Sequence, residues 1–302
     1  MIRIATRGSK LALWQAGFVR DAVLSGDRAV SVELVVIKTR GDEIVDRPLS
    51  AVGGKGLFVK EIEAALLEGR ADVAVHSMKD LPVEMPVQLV VAAVPAREDA
   101  RDALVTWSSN ISTIEALPQG ARVGTSSLRR QCQLRALRPD LEIVALRGNV
   151  DTRLGKLDGG ELEAVLLATA GLVRLGFSDR IAQRLDARTF VPAIGQGALA
   201  IQCRRDDQAT IARLAPLHHL VTAIAVQAER AFLKRLQGDC QTPLGAHATV
   251  EGETLHLIGL VGTPDGTKIL RGGRSGPSAQ SEALGIALAD ELLTNGADQI
   301  LR

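Results

Sequence analysis

Short apolar runs alternate with longer amphipathic stretches along the first two thirds of the chain, a pattern typical of an α/β protein. Ile2–Ala5 and Val32–Ile37 are predicted strands. Between them, a stretch with helical periodicity begins at Ser9, a residue able to cap a helix, and runs to about Leu24. Further apolar runs follow within residues 73–94, so we expect a first α/β domain here.

The rest of the chain repeats this order and then changes character. Strands are predicted at Arg122–Gly124, Leu141–Leu146 and Ala164–Ala168, and each is followed by a turn and a helix. After a helix at 222–236 come three alternating, strand-like stretches with hairpin turns and a last amphipathic helix, at 244–250, 254–262, 267–273 and 278–293. We therefore predict the α/β class: two α/β domains and a small C-terminal α+β domain with an antiparallel three-stranded sheet.

Two segments, Pro95–Arg101 and residues 192–202, are predicted to cross between domains. The predicted boundaries follow from them. Domain 1 is discontinuous and comprises residues 1–95 with 196–217; domain 2 comprises 100–191; domain 3 comprises 220–302.

Composition excludes several classes of partner. The 302 residues are 46% apolar, which fits a globular protein with sizeable cores. The net charge of +1 argues against bulk electrostatic binding to DNA or to an anionic membrane. With two Trp, five Phe and no Tyr, stacking of nucleic-acid bases on aromatic side chains is not expected either.

The start of the chain and its cysteines indicate a reducing compartment. Met1 leads directly into a strand without an apolar signal core, and no apolar run approaches the length of a membrane span. The three cysteines, Cys132, Cys203 and Cys240, are far apart and match neither a disulfide framework nor a zinc pattern. We expect a cytoplasmic protein without a metal site.

Polar residues follow a predicted buried strand in the stretch Ala71–Pro82. His76, Ser77, Lys79 and Asp80 come in quick succession where the strand ends. Open α/β sheets bind their ligands at the carboxyl ends of strands, so this stretch is a candidate site. Taken alone, it fits a solvated loop with an ion pair better.

Arginines fall repeatedly near helix starts in domain 2, where the helix dipole disfavours cations. The positions near helix starts are Arg129, Arg130, Arg153 and Arg174; Arg147 lies at a strand end, and Arg7 and Ser9 lie on the matching edge of domain 1. Together with the hydroxyl groups of residues 125–127, such cations could bind carboxylates or phosphates. Alternatively, they pair with Asp and Glu on the surface. So many on one predicted edge favours a polyanionic ligand.

Two predicted loops contain further candidate functional residues. Gly-Gly-Lys-Gly at 53–56 opens a helix predicted at Leu57–Glu68, and Lys55 and Phe58 either belong to a loop at a cleft or form an ordinary helix entry. Cys240 lies in a turn with Gly and Pro nearby, so it is predicted to be exposed. A lone loop thiol suggests a nucleophile or attachment point, with a chance surface cysteine as the alternative.

These stretches together resemble one family, the porphobilinogen deaminases (hydroxymethylbilane synthases), in order and spacing over nearly the whole chain. The matching segments are residues 4–9 (IATRGS), 52–58 (VGGKGLF), 74–82 (AVHSMKDLP), 124–130 (GTSSLRR), 146–150 (LRGNV), 152–154 (TRL), 192–197 (PAIGQG) and the Cys240 loop.

The resemblance implies a transferase of haem and porphyrin biosynthesis that joins four porphobilinogen molecules with release of ammonia, giving hydroxymethylbilane. It implies two domains like type II periplasmic binding proteins around a cleft, plus a third domain. It also implies a cytoplasmic monomer with a small-molecule substrate, no nucleic-acid or membrane partner, and a product that passes to uroporphyrinogen-III synthase.

The resemblance also assigns residues. Asp80 matches the catalytic carboxylate, and Cys240 matches the cysteine that holds a dipyrromethane cofactor by a thioether. Cofactor binding is further assigned to Lys79, Asp80, Thr125, Ser127, Arg129, Arg130 and Arg147. Binding of the substrate and growing chain is assigned to Arg7, Ser9, Lys55, Phe58, Ser77, Arg153, Arg174 and Gln196.

Two positions depart from the family pattern. Asp239 precedes Cys240 where many members have glycine, and a neighbouring carboxylate disfavours the thiolate. Ala51 stands where some relatives have lysine. The alternatives from other classes are a carboxylate-binding clamp without catalysis, like a solute-binding protein, and a metabolite-sensing regulator. The clamp does not account for a third domain with a loop cysteine, and the sequence shows no DNA-binding module of the kind that a regulator needs.

Overall fold

A computed structural model describes residues 1–26, 29–43, 56–238 and 242–301. The chain forms two compact units. The first unit comprises Met1–Arg97 and Ala198–Ala223, and the second comprises Glu98–Gly197 and Ile224–Arg302. The region predicted as a third domain therefore belongs to the same compact unit as the second sheet. The predicted domain boundaries stay predictions.

The first unit is built on a five-stranded sheet with the order β2-β1-β3-β10-β4. Its strands are β1 (Ile2–Thr6), β2 (Val32–Val36), β3 (Val73–Ser77), β4 (Leu89–Ala93) and β10 (Leu199–Arg204). Its helices are α1 (Lys10–Gly26), α2 (Arg40–Glu43), α3 (Lys60–Leu67) and α7 (Gln208–Leu214). β10 runs antiparallel to both its neighbours, β3 and β4. Apolar side chains of β1, β3 and β10 pack against α1 in the core.

The second unit contains a sheet with the corresponding order β7-β6-β8-β5-β9. Its strands are β5 (Asp102–Thr106), β6 (Arg122–Gly124), β7 (Glu142–Val144), β8 (Ala164–Ala168) and β9 (Gln183–Arg184). Its helices are α4 (Leu128–Leu137), α5 (Val150–Asp158) and α6 (Thr169–Arg174). Here β5 is the antiparallel strand next to β8.

The same unit carries a three-stranded antiparallel sheet, order β11-β12-β13. This region comprises α8 (Leu220–Leu236), which belongs to the second unit from Ile224 onward, followed by β11 (Leu244–Glu251), β12 (Thr254–Gly262), β13 (Ile269–Pro277), α9 (Ser281–Leu292), a π-helical turn (Leu293–Ala297) and α10 (Asp298–Leu301). Phe232, Leu257 and Leu288 are fully buried between this sheet and its helices. The predicted fold class, two α/β sheets and a small α+β region, is confirmed.

The antiparallel strand of each five-stranded sheet is the one that the chain adds after crossing from the other unit. Leu199, which begins β10, pairs with Ser77 at the end of β3. Asp102, which begins β5, pairs with Ala168 at the end of β8. Both crossing segments therefore enter their sheets at the carboxyl ends of the parallel strands, where ligands bind in such folds.

One helix boundary differs from the sequence prediction. The helix predicted from Leu57 begins at Lys60, because residues 56–59 form a turn in which the amide of Val59 donates to the carbonyl of Gly56 at 2.9 Å. Gly56 has a φ of +80°, which favours glycine.

None of the helices in the described part of the chain is long and apolar enough to span a membrane by itself. Gln208–Leu217 and Leu220–Leu236 meet the length and composition only as a pair, across a bend of 105°.

Candidate functional site

The first unit gathers five predicted site residues at one edge of its sheet. β1 and β3 are adjacent and parallel, so the residues that follow them lie at the same edge. Arg7 and Ser9 follow β1; Lys79 and Asp80 follow β3, whose last residue is Ser77. The structure thus places the two stretches that the sequence analysis singled out in this region side by side.

Asp80 is presented by a single 3₁₀ turn, Met78–Asp80. Met78 anchors the turn: its side chain is buried, and its amide donates to the carbonyl of Ala198 at 3.0 Å. The amide of Leu81 closes the turn on the carbonyl of Met78. Asp80 itself is exposed, so its carboxylate is accessible to a cationic group.

The neighbouring side chains at this edge are held by specific contacts. The Oγ of Ser77 accepts a hydrogen bond from Nε2 of buried Gln15 at 3.0 Å. The guanidinium of Arg7 lies 4.0 Å from the centroid of the Phe58 ring, a cation–π arrangement. Lys55 lies outside the described residues.

A chain of buried polar side chains joins α3, β10 and β3 in the first unit. Nε2 of Gln202 donates to Oε1 of Glu63 at 2.9 Å, which leaves its Oε1 to accept from Nε2 of His76 at 3.0 Å. Burial lowers the pKa of His76 to about 4 and raises the pKa of Glu63. His76 is therefore neutral near pH 7, with its proton on Nε2.

In the second unit, the carboxyl ends of β6, β7 and β8 and the first turn of α4 form what we call the donor-rich edge, comprising residues 125–130, 147–149 and 169. Two helices begin here on side-chain caps. Ser127 caps α4 by accepting from the amide of Arg130 at 3.5 Å, and Asn149 caps α5 by accepting from the amide of Thr152 at 2.9 Å. Helix N-termini carry partial positive charge and suit anions.

Arg129 and Arg130 do not extend from this edge into solvent. Both side chains are almost completely buried, 5% and 6% exposed, and both pair with the fully buried carboxylate of Asp102. Nη1 of Arg129 lies 2.6 Å from Oδ2 of Asp102, and Nη2 of Arg130 lies 2.7 Å from Oδ1. Burial would raise the pKa of the Asp102 carboxyl, but the two guanidiniums outweigh it and hold that pKa well below its usual range.

The returning crossing segment is fixed at three successive residues. The amide of Gly195 donates to Oε2 of buried Glu229 at 2.7 Å. Nε2 of Gln196 donates to Oδ1 of Asp102 at 3.0 Å and to the carbonyl of Ala100 at 2.7 Å. The carbonyl of Gly197 accepts from Nη2 of Arg174 at 2.7 Å. Gln196 and Arg174, both predicted to bind ligand, therefore also hold this segment in place.

The other predicted residues of this unit lie on or beside the donor-rich edge. Thr125 is buried, and its Oγ1 accepts from the amide of Ser127 at 3.2 Å. Arg147 and Arg153 are half-buried, and Nε of Arg153 donates to the carbonyl of Gly148 at 2.8 Å. None of these contacts tests ligand binding, so the assigned roles stay predictions.

Of the three cysteines, the structure describes two. Cys132 and Cys203 are fully buried, and burial raises the pKa of each thiol to about 11. Both are therefore protonated, inert packing groups near pH 7. Cys240, the predicted attachment point, lies outside the described residues.

Sequence reasoning missed Asp102, Glu229 and Gln202. A weak signal existed for Asp102 in DALVT and for Gln202 in LAIQC, since each is a charged or amide residue in a largely apolar strand. Glu229 gave no such signal, because Gln227 and Arg230 lie beside it in α8. Buried polar residues need partners, but the sequence does not say which.

The donor-rich edge retains unused hydrogen-bond donors. Among the described residues, Nε of Arg129 and Oγ1 of Thr169 are buried without a hydrogen-bond partner. Buried donors beside helix N-termini and guanidiniums match a ligand that carries carboxylates.

Comparison with known proteins gives two family matches. Residues 2–212 match the model described as "Porphobilinogen deaminase, dipyromethane cofactor binding domain", and residues 223–294 match "Porphobilinogen deaminase, C-terminal domain".

Solved structures with similarity include an amino acid transporter's substrate-binding domain from Streptococcus pneumoniae, with 16% identity, a TM-score of 0.46, and coverage of 78% of this chain and 94% of that one. A periplasmic arginine-binding protein of Salmonella typhimurium has 16% identity, a TM-score of 0.41 and coverages of 74% and 93%. The aliphatic sulphonate binding protein of Escherichia coli has 17% identity and a TM-score of 0.40, and the match covers 78% of this chain and 70% of that one.

Proposed function

The chain belongs to the porphobilinogen deaminase family, and from that premise we propose that it joins four porphobilinogen molecules head to tail into hydroxymethylbilane. Residues 2–212 are the family's dipyrromethane cofactor-binding domain, so the protein acts in tetrapyrrole synthesis. Each condensation breaks the aminomethyl C–N bond of one unit and forms one C–C bond to the next pyrrole ring. Ammonia leaves from the incoming unit, and the pyrrole ring that attacks its methylene carbon loses a proton.

The observation that carries the proposal is the concentration of buried cationic donors at the donor-rich edge. Each pyrrole unit carries an acetate and a propionate, and burying these carboxylates without partners would be prohibitive. Arg129 and Arg130 are buried, positively charged and held beside a capped helix N-terminus. They suit carboxylates through charge-assisted hydrogen bonds.

The residues of this edge also fit the cofactor. Dipyrromethane carries the same carboxylates as the substrate, and the unpartnered Nε of Arg129 and Oγ1 of Thr169 are donors of the kind that it needs. Arg129, Arg130 and Ser127 would hold it, and when bound it supplies the terminal pyrrole to which units are added. Cys240 is the proposed attachment point, since the thiols of Cys132 and Cys203 are buried and protonated.

Asp80 is proposed as the catalytic carboxylate. Porphobilinogen that has lost ammonia is a cationic methylene-pyrrole, and the ring that attacks it becomes positively charged at nitrogen. An exposed carboxylate fixed on a short, anchored turn can accept hydrogen bonds from pyrrole N–H groups and stabilise that charge. It can also accept the proton that the attacking ring releases.

Intact-mass measurement and an ammonia-release assay test the proposal. The wild-type protein should carry a mass increment equal to one dipyrromethane and release ammonia from porphobilinogen. Cys240→Ser should lose both, whereas Cys203→Ala, which alters a buried thiol in β10, should keep both. An unmodified wild-type protein that binds porphobilinogen without releasing ammonia would instead establish the carboxylate-binding clamp.

A further inference from the structure

The paired arginines share one buried carboxylate, and this arrangement determines which of their N–H groups remain available. Asp102 is fully buried and lies at the first residue of β5, where the chain enters the sheet beside β8. It accepts two hydrogen bonds from Arg129, two from Arg130 and one from Gln196. Among the described residues, no other carboxylate lies within ion-pair distance of either arginine.

We propose that Asp102 is a positioning residue for ligand binding: it fixes the direction of the Arg129 and Arg130 guanidiniums so that their remaining donors meet ligand carboxylates. The inference rests on the proposed function for the identity of the ligand. Asp102 itself contacts neither substrate nor cofactor in this assignment; it acts through the two arginines.

An inventory of donors supports the assignment. Two arginines carry ten N–H groups between them. The two guanidiniums donate six hydrogen bonds to groups within the protein, four to Asp102 and one each to the carbonyls of Val191 and Leu166. The N–H groups that are left include the buried Nε of Arg129. Because a guanidinium is a rigid plane, fixing one side of it also fixes the donors on the other side.

The charges point to the same conclusion. Within the described part of the chain, one carboxylate against two buried guanidiniums leaves one positive charge without an internal counter-ion. A carboxylate group of a ligand would compensate it, since buried charges are normally paired. Without Asp102, two like charges would lie together in a buried position and would separate.

The position of Asp102 is itself fixed from both crossing segments. Nε2 of Gln196 bridges Oδ1 of Asp102 and the carbonyl of Ala100, and the neighbouring amide of Gly195 is held by Glu229. On the other side of Arg129, a Cβ added at Gly245 would lie 3.0 Å from Cδ of that arginine. The arginine is therefore confined on both sides, as a precise binding group requires.

The test compares three variants in protein labelled with ¹⁵N-arginine. Asp102→Asn removes the charge and keeps the shape; Asp102→Glu keeps the charge and moves it by one methylene. Asp72→Asn is the matched control, because Asp72 is also shared by two arginines, Arg3 and Arg204, but precedes β3 at the opposite end of its strand. Solvent exchange of the Arg130 Nε–H, assigned with Arg130→Lys, reports whether that guanidinium is held.

We expect Asp102→Asn to speed this exchange at least about tenfold, which is the factor equivalent to losing one charge-assisted hydrogen bond. We expect both Asp102 variants to lower dipyrromethane loading and to slow ammonia release from porphobilinogen by about 100-fold, as for a binding group displaced by about 1 Å. Asp72→Asn should leave exchange, loading and rate as in the wild type.

Unchanged exchange in Asp102→Asn would overturn the proposal, and so would wild-type loading and rate in Asp102→Glu. The latter would mean that Asp102 only neutralises charge. If the wild-type protein carries no adduct and releases no ammonia, the proposed function fails, while the exchange measurement still decides whether Asp102 fixes the arginines.

Discussion

Glu229 offers the sharpest test of how the second unit is held together. Its carboxylate is fully buried in α8. Oε2 accepts from the amide of Gly195 at 2.7 Å, and Oε1 accepts from the amide of Ala248 at 2.8 Å. In Glu229→Gln, one oxygen becomes an NH₂ group, which cannot accept a hydrogen bond. One of the two backbone amides is then left facing a donor.

The size of the destabilisation follows from the loss of this hydrogen bond. A hydrogen bond to a charged group contributes about 1.5–3 kcal/mol, and a buried donor left unpaired costs about 1–3 kcal/mol. These figures partly describe the same loss, so we expect the free energy of unfolding of this unit to fall by about 2–4 kcal/mol. Gly195 precedes Gln196, which holds Asp102, so dipyrromethane loading should fall as well.

Urea unfolding, monitored by circular dichroism, measures the fall in the free energy of unfolding. The matched control is Glu291→Gln on α9, where Oε2 of Glu291 pairs with Nη2 of Arg274 at 3.0 Å and both side chains are partly exposed. Such a surface pair contributes at most about 1 kcal/mol. If Glu229→Gln unfolds at the same urea concentration as Glu291→Gln, the buried carboxylate does not hold the crossing segment.

Two further predictions concern the first unit. Asp80→Asn should fold normally, because the side chain is exposed, and should lower the initial rate of ammonia release by a factor on the order of 100 or more; a near-normal rate would exclude the catalytic role. His76 should make stability depend on pH. Burial lowers its pKa to about 4, so the unfolded chain takes up the proton first as pH falls. The stability contributed by neutral His76 is complete above about pH 6.5 and is lost toward pH 4. When the pH is lowered from 7 to 5, the free energy of unfolding measured with urea should therefore fall by about 2 kcal/mol more in the wild type than in His76→Asn. Equal decreases in the two proteins would contradict this prediction.

The fold class followed from periodicity because strands and helices in α/β domains differ clearly in their apolar spacing. The strands at 122–124 and 164–168 have the predicted bounds, while β13 extends to Pro277, beyond the predicted end at residue 273. The late start of α3 at Lys60 depends on a turn stabilised by backbone hydrogen bonds, which periodicity does not report.

The sequence predicted which residue types gather at the candidate site, but it did not predict which side chains pair with one another. Strand ends and helix starts were enough to place Arg129 and Arg130 at one edge. That their partner is Asp102, 27 and 28 residues away in sequence, depends on how β5 enters the sheet. The predicted partners of these arginines were ligand anions or surface carboxylates, whereas the observed partner is a buried carboxylate. Long-range partners of this kind are set by topology, which local patterns do not encode.

The order in which the chain builds its first sheet has a consequence for synthesis on the ribosome. Among the strands that the structure describes, β4 pairs with β10 alone, and β10 separates it from β3. The two partners are separated by about 100 residues, so at translation rates of about 5–20 residues per second β4 emerges about 5–20 s before β10. During that interval an apolar strand has an open edge, which invites aggregation. Chaperone dependence of the nascent chain should therefore be concentrated before residue 199.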